Sequence, residues 1–249
     1  NMEFKIPQTL FLSIVFHLII LASSFRFYRQ RPTYPGRCRA LDRGATMIDC
    51  SSLNLTAIPA QVFSQRRLIY LDLSNNGLKD LRGLESLTSL EELYLGGTVL
   101  DNISSDTLPC GTNPKLKNIY GLEVNNINES SRFHCLTGLK YLDLTLHAEI
   151  VKEELFKGLL LETMKLTLSE AKQLPEQLFG NIASHVQNIH LSAPNLESLE
   201  HRFSPLMKLR KLYLDLPNVD VLPRGLLCGD GVNIAQQLNI TQGFVSLKE

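Results

Sequence analysis

Histidine and cysteine are the residue types in this chain that most often carry catalytic or metal chemistry. His185 and His190 are five residues apart, a spacing that sends two side chains on one strand to opposite faces, so the pair predicts no metal site. Cys135 follows His134, but a disulfide explains that cysteine better than an activated nucleophile does. The sequence has no Gly-Lys-Ser/Thr phosphate loop, His-Glu-x-x-His pair or Gly-x-Ser-x-Gly elbow. We therefore expect no enzyme activity, no metal and no cofactor.

Composition narrows the class of protein further. The chain has 249 residues, of which 44% are hydrophobic, and this is enough to bury a continuous core. Lys and Arg together number 25, and so do Asp and Glu. Because the charges balance, nothing in the composition indicates nucleic acid or an anionic membrane as a partner.

A secretory signal peptide is predicted at residues 1–24. An apolar run from Leu10 to Ala22 is too short to span a bilayer, and Ala22 and Ser24 suit the minus-three and minus-one positions of a cleavage site. A signal anchor is the alternative, because a cluster of arginines opens the N-terminal linker at residues 25–37. Either segment sends the rest of the chain into the secretory pathway.

Sequons and cysteines agree with export. Four Asn-x-Ser/Thr sequons without proline predict N-glycosylation at Asn54, Asn102, Asn128 and Asn239. The chain contains 5 cysteines, and in an oxidising compartment we expect them to form disulfides, with at least one left over. The predicted location is secreted, or on the extracellular side of the cell membrane.

Apolar residues recur with a period of 22–26 residues. Each unit contains an apolar pair at i and i+2, which indicates one short strand per repeat. No unit can bury its leucines alone, so stacked units share one core and form a solenoid. Amphipathic helices are the alternative, and they do not account for so many intervals near one period. The central apolar positions of the units are Ile48, Leu71, Leu93, Ile119, Leu142, Met164, Ile189, Leu212 and Leu238.

Two details of the predicted solenoid concern its core. Residues ten after the central position should meet the core from the return stretch, and four phenylalanines should pack on the convex side. In the fourth unit two registers compete, one with Leu116, Ile119 and Gly121 inward and one with Ile119, Leu122 and Val124 inward. The return-stretch residues are Ile58, Leu81, Ile103, Leu174, Leu199 and Leu222, and the phenylalanines are Phe63, Phe156, Phe179 and Phe203.

Side chains that alternate with the inward leucines lie on the open face of the sheet. Strands laid side by side give a broad, pre-formed concave surface that binds with little ordering cost, and tyrosines suit its interface anchors. The alternative is that a tyrosine beside a strand leucine is a common residue of such repeats and has no role in binding. The candidate ligand-binding residues on this face are Tyr70, Asp72, Glu92, Tyr94, Tyr141, Asp143, Lys165, His190, Lys211, Tyr213 and Asp215.

The chain resembles extracellular leucine-rich-repeat proteins from about residue 38 to residue 249. Cys38, Cys50 and the following Ser51-Ser52-Leu53-Asn54-Leu55-Thr56-Ala57-Ile58-Pro59 are similar to a cysteine-bearing N-terminal cap and first repeat. Leu174-Pro175-Glu176-Gln177-Leu178-Phe179 is similar to a repeat ending of Toll and Toll-like receptor ectodomains. The expected fold is thus an α/β leucine-rich-repeat solenoid, a curved horseshoe with one short parallel strand per repeat. The cap and first repeat occupy 38–67, and further repeats occupy 68–249.

Two disulfides are expected. Cys38 should pair with Cys50, because Cys50 stands at an inward position of the first rung and Cys38 lies in the segment that covers that edge of the core. Cys110 and Cys135 are 25 residues apart, one repeat period, which places them on adjacent rungs within bonding distance. Two unpaired thiols are the alternative, and Cys228 is left without an assigned partner.

Departures from the family pattern concern the ninth position of the repeat and the end of the chain. Asn76 occupies the ninth position of its unit, where the family uses asparagine to bond the neighbouring turn. Thr98, His147, Ser169, Pro194 and Pro217 replace it in later units, and proline supplies no donor. The last unit, Leu238-Asn239-Ile240, stops in mid-repeat, so we expect a solenoid truncated at its C-terminus.

The resemblance implies a recognition function. The first hypothesis is the ligand-binding ectodomain of a Toll-like receptor type protein, which binds a protein ligand or microbial molecule in innate immune or developmental signalling and can pair as a homodimer or with a related receptor. The alternative is a secreted adhesion, matrix or soluble immune protein of leucine-rich repeats without a signalling domain.

Overall fold

The computed structural model describes residues 38–103, 115–127, 133, 136–199, 203, 206, 208–219 and the backbone of 239–242. Ten strands form one sheet whose spatial order is the order of the chain. β1 pairs with β2 antiparallel, and every later pair is parallel. The strands are β1 Arg39–Ala40, β2 Met47–Asp49, β3 Tyr70–Asp72, β4 Glu92–Asn102, β5 Asn118–Asn126, β6 Tyr141–Leu146, β7 Thr163–Leu168, β8 Asn188–Ser192, β9 Lys211–Asp215 and β10 Asn239–Gln242.

The predicted central positions stand opposite one another across the sheet. Ile48 pairs with Leu71, Leu71 with Leu93 and Leu93 with Ile119, and the series continues to Leu212. Each is fully buried, so the leucine periodicity correctly predicted the shared core. The solenoid prediction is confirmed.

The return side of each coil contains little helix. Among the described residues it has one short helix, α1 Ala60–Phe63, and two 3₁₀ turns, Leu84–Ser86 and Gly180–Ile182. Phe179 and Phe203 stack there with ring centroids 4.8 Å apart, and Phe156 is likewise buried. Phe63 is only partly buried at the edge of the core. The predicted return-stretch residues within the described range are all buried, whereas Leu222 lies outside it.

A bulge in β5 explains why two registers competed in the fourth unit. Ile119 pairs with Leu142, but the next partners are Leu122 and Leu144, so β5 holds one residue more than β6. Gly121 lies in the bulge with φ +67°. A Cβ atom at this position would lie 2.7 Å from the Cα of Gly96. Glycine therefore fits where any side chain would clash. After the bulge Leu122 and Val124 point inward, as the second register predicts.

Cys38 and Cys50 form the predicted cap disulfide, with Cα atoms 4.3 Å apart and both side chains buried. β1, which runs antiparallel along the first rung, was not predicted from the sequence. The hydrogen bonds of Asp42 hold the intervening turn, since its carboxylate accepts from the backbone of Gly44 and Met47 and from the Thr46 hydroxyl. Together these contacts cover the N-terminal edge of the sheet, which would otherwise present unpaired backbone groups.

The C-terminal end of the sheet corrects one prediction. Leu238 was expected at the central position of the last unit, but β10 begins at Asn239 and places Ile240 opposite Leu212. The strand is therefore shifted by two residues from the predicted register. The expected signal peptide, the linker, Cys110, Cys135 and Cys228 lie outside the described residues. No helix in the described ranges is long and apolar enough to cross a membrane.

Candidate ligand-binding surface

Every predicted binding residue lies on a strand, on the open face of the sheet, next to at least one buried residue. The structure thus brings the eleven residues to one surface, although no ligand tests their role. Those on β3, β4, β6 and β7 are half-buried, and those on β8 and β9 are exposed. The half-buried set is Tyr70, Asp72, Glu92, Tyr94, Tyr141, Asp143 and Lys165, and the exposed set is His190, Lys211, Tyr213 and Asp215.

Four tyrosines form a continuous row across the N-terminal half of this face, and we call Tyr70, Tyr94, Tyr120 and Tyr141 the tyrosine strip. Ring centroids are 4.9 Å apart between Tyr70 and Tyr94, 4.3 Å between Tyr94 and Tyr120, and 4.8 Å between Tyr120 and Tyr141. Adjacent parallel strands bring such side chains within contact distance. Aromatic pairs at this spacing hold one another in place.

Tyr120 was absent from the predicted set. It follows Ile119 just as Tyr94 follows Leu93, and the two tyrosines pair directly across β4 and β5. The ambiguous register of the fourth unit hid it, because Gly121 competed with Leu122 for the inward position. The shared central residue Ile119 was enough to place Tyr120 on the open face under either register.

Burial and neighbouring charges raise the pKa of Tyr70, Tyr94 and Tyr141. Partial burial raises the pKa of Tyr70, and the charges of Asp72, Asp49 and Glu92 add to this effect. Burial also raises the pKa of Tyr94, with further contributions from Tyr120 and Glu92. The pKa of Tyr141 is raised by burial and then by Asp143. A tyrosine hydroxyl is neutral at physiological pH even at its ordinary pKa of about 10, and these shifts move the ionisation of the three hydroxyls still further from that pH.

The C-terminal half of the face has a different character, and we call Lys165, His190, Lys211, Tyr213 and Asp215 the charged half. Its one aromatic contact in the described strands is between His190 and Tyr213, whose ring centroids are 5.8 Å apart. Lys165 Nζ lies 3.1 Å from Asp143 Oδ2, where the two halves meet. Ser192 Oγ donates to Asp215 Oδ2 at 2.9 Å. Apart from Lys165 these side chains are exposed, and they form no continuous row of rings like the tyrosine strip.

A second polar row lies beyond the strip, at the carboxyl ends of β5, β6 and β7. His147 Nδ1 is 2.9 Å from Ser169 Oγ, and His147 Nε2 is 3.8 Å from Glu123 Oε2. Glu123 also accepts a hydrogen bond from the backbone of Gly97, and Ser169 donates one to the carbonyl of Leu146. These bonds join neighbouring rungs at positions where the repeat pattern lacks asparagine, so we assign the row a structural role.

Two of the predicted glycosylation sites have described side chains. Asn54 is exposed in the loop that follows the first rung, and Asn102 is the last residue of β4. Asn54 comes after the end of β2, and Asn102 comes eight residues after Tyr94 on β4, so neither lies within the tyrosine strip. Asn239 begins β10, and Asn128 lies outside the described residues. Glycosylation at these positions stays a prediction.

The described residues contain no group of three His, Cys, Asp or Glu side chains that could hold a metal. His185, expected on a strand, lies in the turn before β8, where its Nδ1 is 2.7 Å from Ser184 Oγ. That strand assignment was wrong, because β8 begins only at Asn188.

Comparison with known proteins identifies the repeat. A family model described as leucine-rich repeats in two copies matches residues 66–110. Those residues include the two units with the clearest leucine spacing, which contain β3 and β4. No curated protein sequence matches the chain significantly.

Solved structures resemble the fold more broadly. Human 5T4, also named Wnt-activated inhibitory factor 1 or trophoblast glycoprotein, aligns with a TM-score of 0.60 at 22% identity. The match covers 85% of this chain and 80% of that one. The internalin InlF of Listeria monocytogenes aligns with a TM-score of 0.50 at 14% identity, covering 81% of this chain and 67% of its own. At these identities the matches show a shared fold.

Proposed function

Because the chain is a leucine-rich-repeat protein, with a domain suited to protein binding, we propose that it is an extracellular recognition domain that binds a protein ligand through the tyrosine strip. The observation that carries the proposal is the row of four rings in mutual contact across β3 to β6. Tyrosine is enriched among the residues that dominate binding energy at protein interfaces.

The physical advantage of the strip is its order before binding. Each ring is packed by its neighbours, so little side-chain entropy remains to be lost when a partner docks. The Tyr94 hydroxyl donates to Glu92 and keeps its oxygen free to accept, while the ring edges supply apolar area. A surface with these properties binds a protein, whose backbone carbonyls and side chains can meet both kinds of group.

We further propose that the domain works in a receptor of the Toll-like type. The repeat ending at Leu174-Pro175-Glu176-Gln177-Leu178-Phe179 supports this setting, as do the export and glycosylation signals in the sequence. The Cys38–Cys50 disulfide agrees with an oxidising compartment. A protein ligand is favoured over a small microbial molecule, because the strip is a broad face and not an enclosed pocket.

An array of extracellular domains tests the binding proposal. The chain is expressed in a secretory host, joined into fluorescent tetramers and applied to secreted and cell-surface ectodomains made in the same host. We expect capture by at least one ectodomain. Replacing Tyr94→Ala together with Tyr120→Ala should weaken that interaction at least about tenfold, because two adjacent anchors are lost.

A matched pair in the charged half is the control. Tyr213→Ala with His190→Ala removes two rings in contact from the same face, and it should change the affinity less than about threefold. Thermal unfolding of both variants establishes that they are folded. An affinity that falls only with the control pair, or equally with both pairs, would overturn the assignment of the tyrosine strip.

A further inference from the structure

Carboxylates border the tyrosine strip on the strands that carry it. Asp72 stands opposite Tyr94 across β3 and β4, and Glu92 stands opposite Tyr70 across the same two strands. On these two strands each ring therefore stands opposite a carboxylate. Tyr94 donates its hydroxyl to Glu92 Oε2 at 3.3 Å, which places the acid at the polar tip of the ring.

The two carboxylates of this border are not neutralised. The outer acids of the surface are paired, since Arg39 lies 3.0 Å from Asp49 and Lys165 lies 3.1 Å from Asp143. Among the residues that the structure describes, no basic side chain comes within ion-pairing distance of Asp72 or Glu92. Asp72 stands opposite Asp49, a like charge whose pairing across strands costs stability. The chain as a whole is neutral, so this negative charge is local.

Ring orientation restricts how a cation can approach. The interplanar angle is 18° between Tyr94 and Tyr120 and 35–40° at the two ends of the row. The rings thus cover one another's faces and present edges and hydroxyls outward. Cation–π stacking needs an open ring face, so it is restricted to the ends of the strip. A basic side chain over the middle would instead bond the carboxylates and hydroxyls and lay its methylene stem on the ring edges.

We propose that the partner of the tyrosine strip is a protein segment rich in arginine and lysine, with arginine preferred. The inference rests on the proposed function and names the chemistry of its ligand. Asp72 accepts from the backbone of Ser74 and Glu92 from Tyr94, but neither has a basic partner among the described residues. Such carboxylates on a half-buried aromatic surface are complementary to cations. Arginine is favoured because its planar fork can bond a carboxylate with two parallel hydrogen bonds, whereas lysine offers a point charge.

Synthetic peptides test the proposal with a defined probe. A fluorescein-labelled peptide of about 12 residues, alternating arginine with glycine, is titrated with the glycosylated chain, and fluorescence anisotropy gives Kd. Matched peptides replace arginine by lysine, by uncharged citrulline or by glutamate. We expect the order arginine, then lysine, with citrulline and glutamate at least about tenfold weaker than arginine. Raising the salt concentration from about 50 to about 500 mM should weaken the arginine peptide most.

Charge-neutral variants locate the binding. Asp72→Asn with Glu92→Gln keeps the size of both side chains and removes two charges, and it should weaken the arginine peptide about tenfold. Glu149→Gln with Glu176→Gln removes the same charge from exposed turns outside the sheet and should leave Kd within about twofold. Equal binding of the citrulline peptide, equal loss in the two double variants, or no measurable binding of the arginine peptide overturns the inference.

The ectodomain captured in the array separates failure of this inference from failure of the proposed function. If the captured protein needs Tyr94 and Tyr120 but binds equally well to the Asp72→Asn, Glu92→Gln variant, the strip is the site and the basic partner is wrong. If capture does not depend on the tyrosines, the proposed function itself is wrong.

Discussion

The two halves of the sheet use the same leucine framework but join their coils differently. In the N-terminal half, buried Asn76 donates to the carbonyls of Cys50, Leu73 and Ser74 and accepts from the backbone of Leu53 and Leu55. In the C-terminal half Ser169 holds the equivalent position after β7, and after β8 and β9 prolines hold it and the next residue takes over in part. Asn195 donates to the Ser169 carbonyl and Asn218 to the Pro194 carbonyl, and both asparagines are exposed.

This difference coincides with the change on the open face. The coils joined by buried Asn76 carry the first strands of the tyrosine strip, whereas the coils joined by exposed Asn195 and Asn218 carry exposed His190, Lys211, Tyr213 and Asp215. A row of rings keeps its contacts only if adjacent strands hold their register and spacing. The comparison indicates that the interior of the N-terminal half positions the tyrosine strip.

Replacing Asn76→Ala should give the largest effect. Five hydrogen bonds are lost from a buried side chain, and several backbone groups are left without partners. We expect the free energy of unfolding to fall by about 3–5 kcal/mol. Asn195→Ala, which removes one exposed bond, should cost at most about 1 kcal/mol. Urea denaturation measures both, and equal losses would refute the claimed difference between the halves.

Removing the cap disulfide should rank second. In the chain-entropy model a loop of this length stabilises by about 3 kcal/mol, so Cys38→Ser with Cys50→Ser should lower the unfolding midpoint accordingly. The largest increase in amide hydrogen exchange should appear in β1 to β3, with little change in β8. Uniform acceleration along the solenoid would show that the cap stabilises the whole sheet and not the N-terminal half.

Gly121 and Gly96 offer a matched pair inside the bulge. A Cβ at Gly121 would meet the Gly96 backbone at a positive φ, whereas a Cβ at Gly96 has no heavy atom within 4 Å. We expect Gly121→Ala to cost about 2 kcal/mol and Gly96→Ala to stay within about 0.5 kcal/mol. A thermal melt that ranks the two variants in the opposite order would contradict the bulge geometry.

Acid should weaken the cap slightly. Burial by itself raises the pKa of Asp42, but hydrogen bonds from Met47, Thr46 and Gly44 together lower it below the ordinary 3.8. A lowered carboxyl pKa stabilises the fold above about pH 3.8, and this contribution is lost as the pH falls through the folded value. Asp42→Asn should therefore reduce Tm at pH 7, and the difference from the wild type should shrink as the pH falls below 3.8 and through the lowered pKa of Asp42. Solvent screening keeps the effect under about 1 kcal/mol. Tm curves that stay parallel across this range would argue against the assignment.

The sequence predicted features that depend on periodicity and missed those that depend on local exceptions. Leucine spacing was sufficient to predict the core, because positions buried at a fixed interval must be occupied by apolar residues at that interval in the sequence. The bulge at Gly121 could not be predicted, because it depends on close contact with the backbone of Gly96, which the spacing of apolar residues does not show. The uncertain register around the bulge is the reason that Tyr120 was missing from the predicted set. Spacing also could not distinguish Leu238 from Ile240 as the central residue of the last unit. Both residues are apolar and they are two apart, so either gives the same alternation along the strand. The ring stacking depends on side-chain orientation, which the pattern does not contain.

The proposed function requires that the ligand contacts the tyrosine strip and not the charged half. Tyr94→Asn with Gly96→Ser creates an Asn-Leu-Ser sequon on β4, and Tyr213→Asn with Asp215→Ser creates the same sequon on β9. Each places a bulky glycan on one half of the face. N-glycosidase digestion of each variant confirms that the site is occupied.

The decisive measurement is the affinity of these two glycosylated variants for the captured ectodomain. We predict that the glycan on β4 abolishes binding, because it stands within the strip, and that the glycan on β9 changes Kd less than about threefold. Binding that survives the glycan on β4 and is lost with the glycan on β9 would contradict the account.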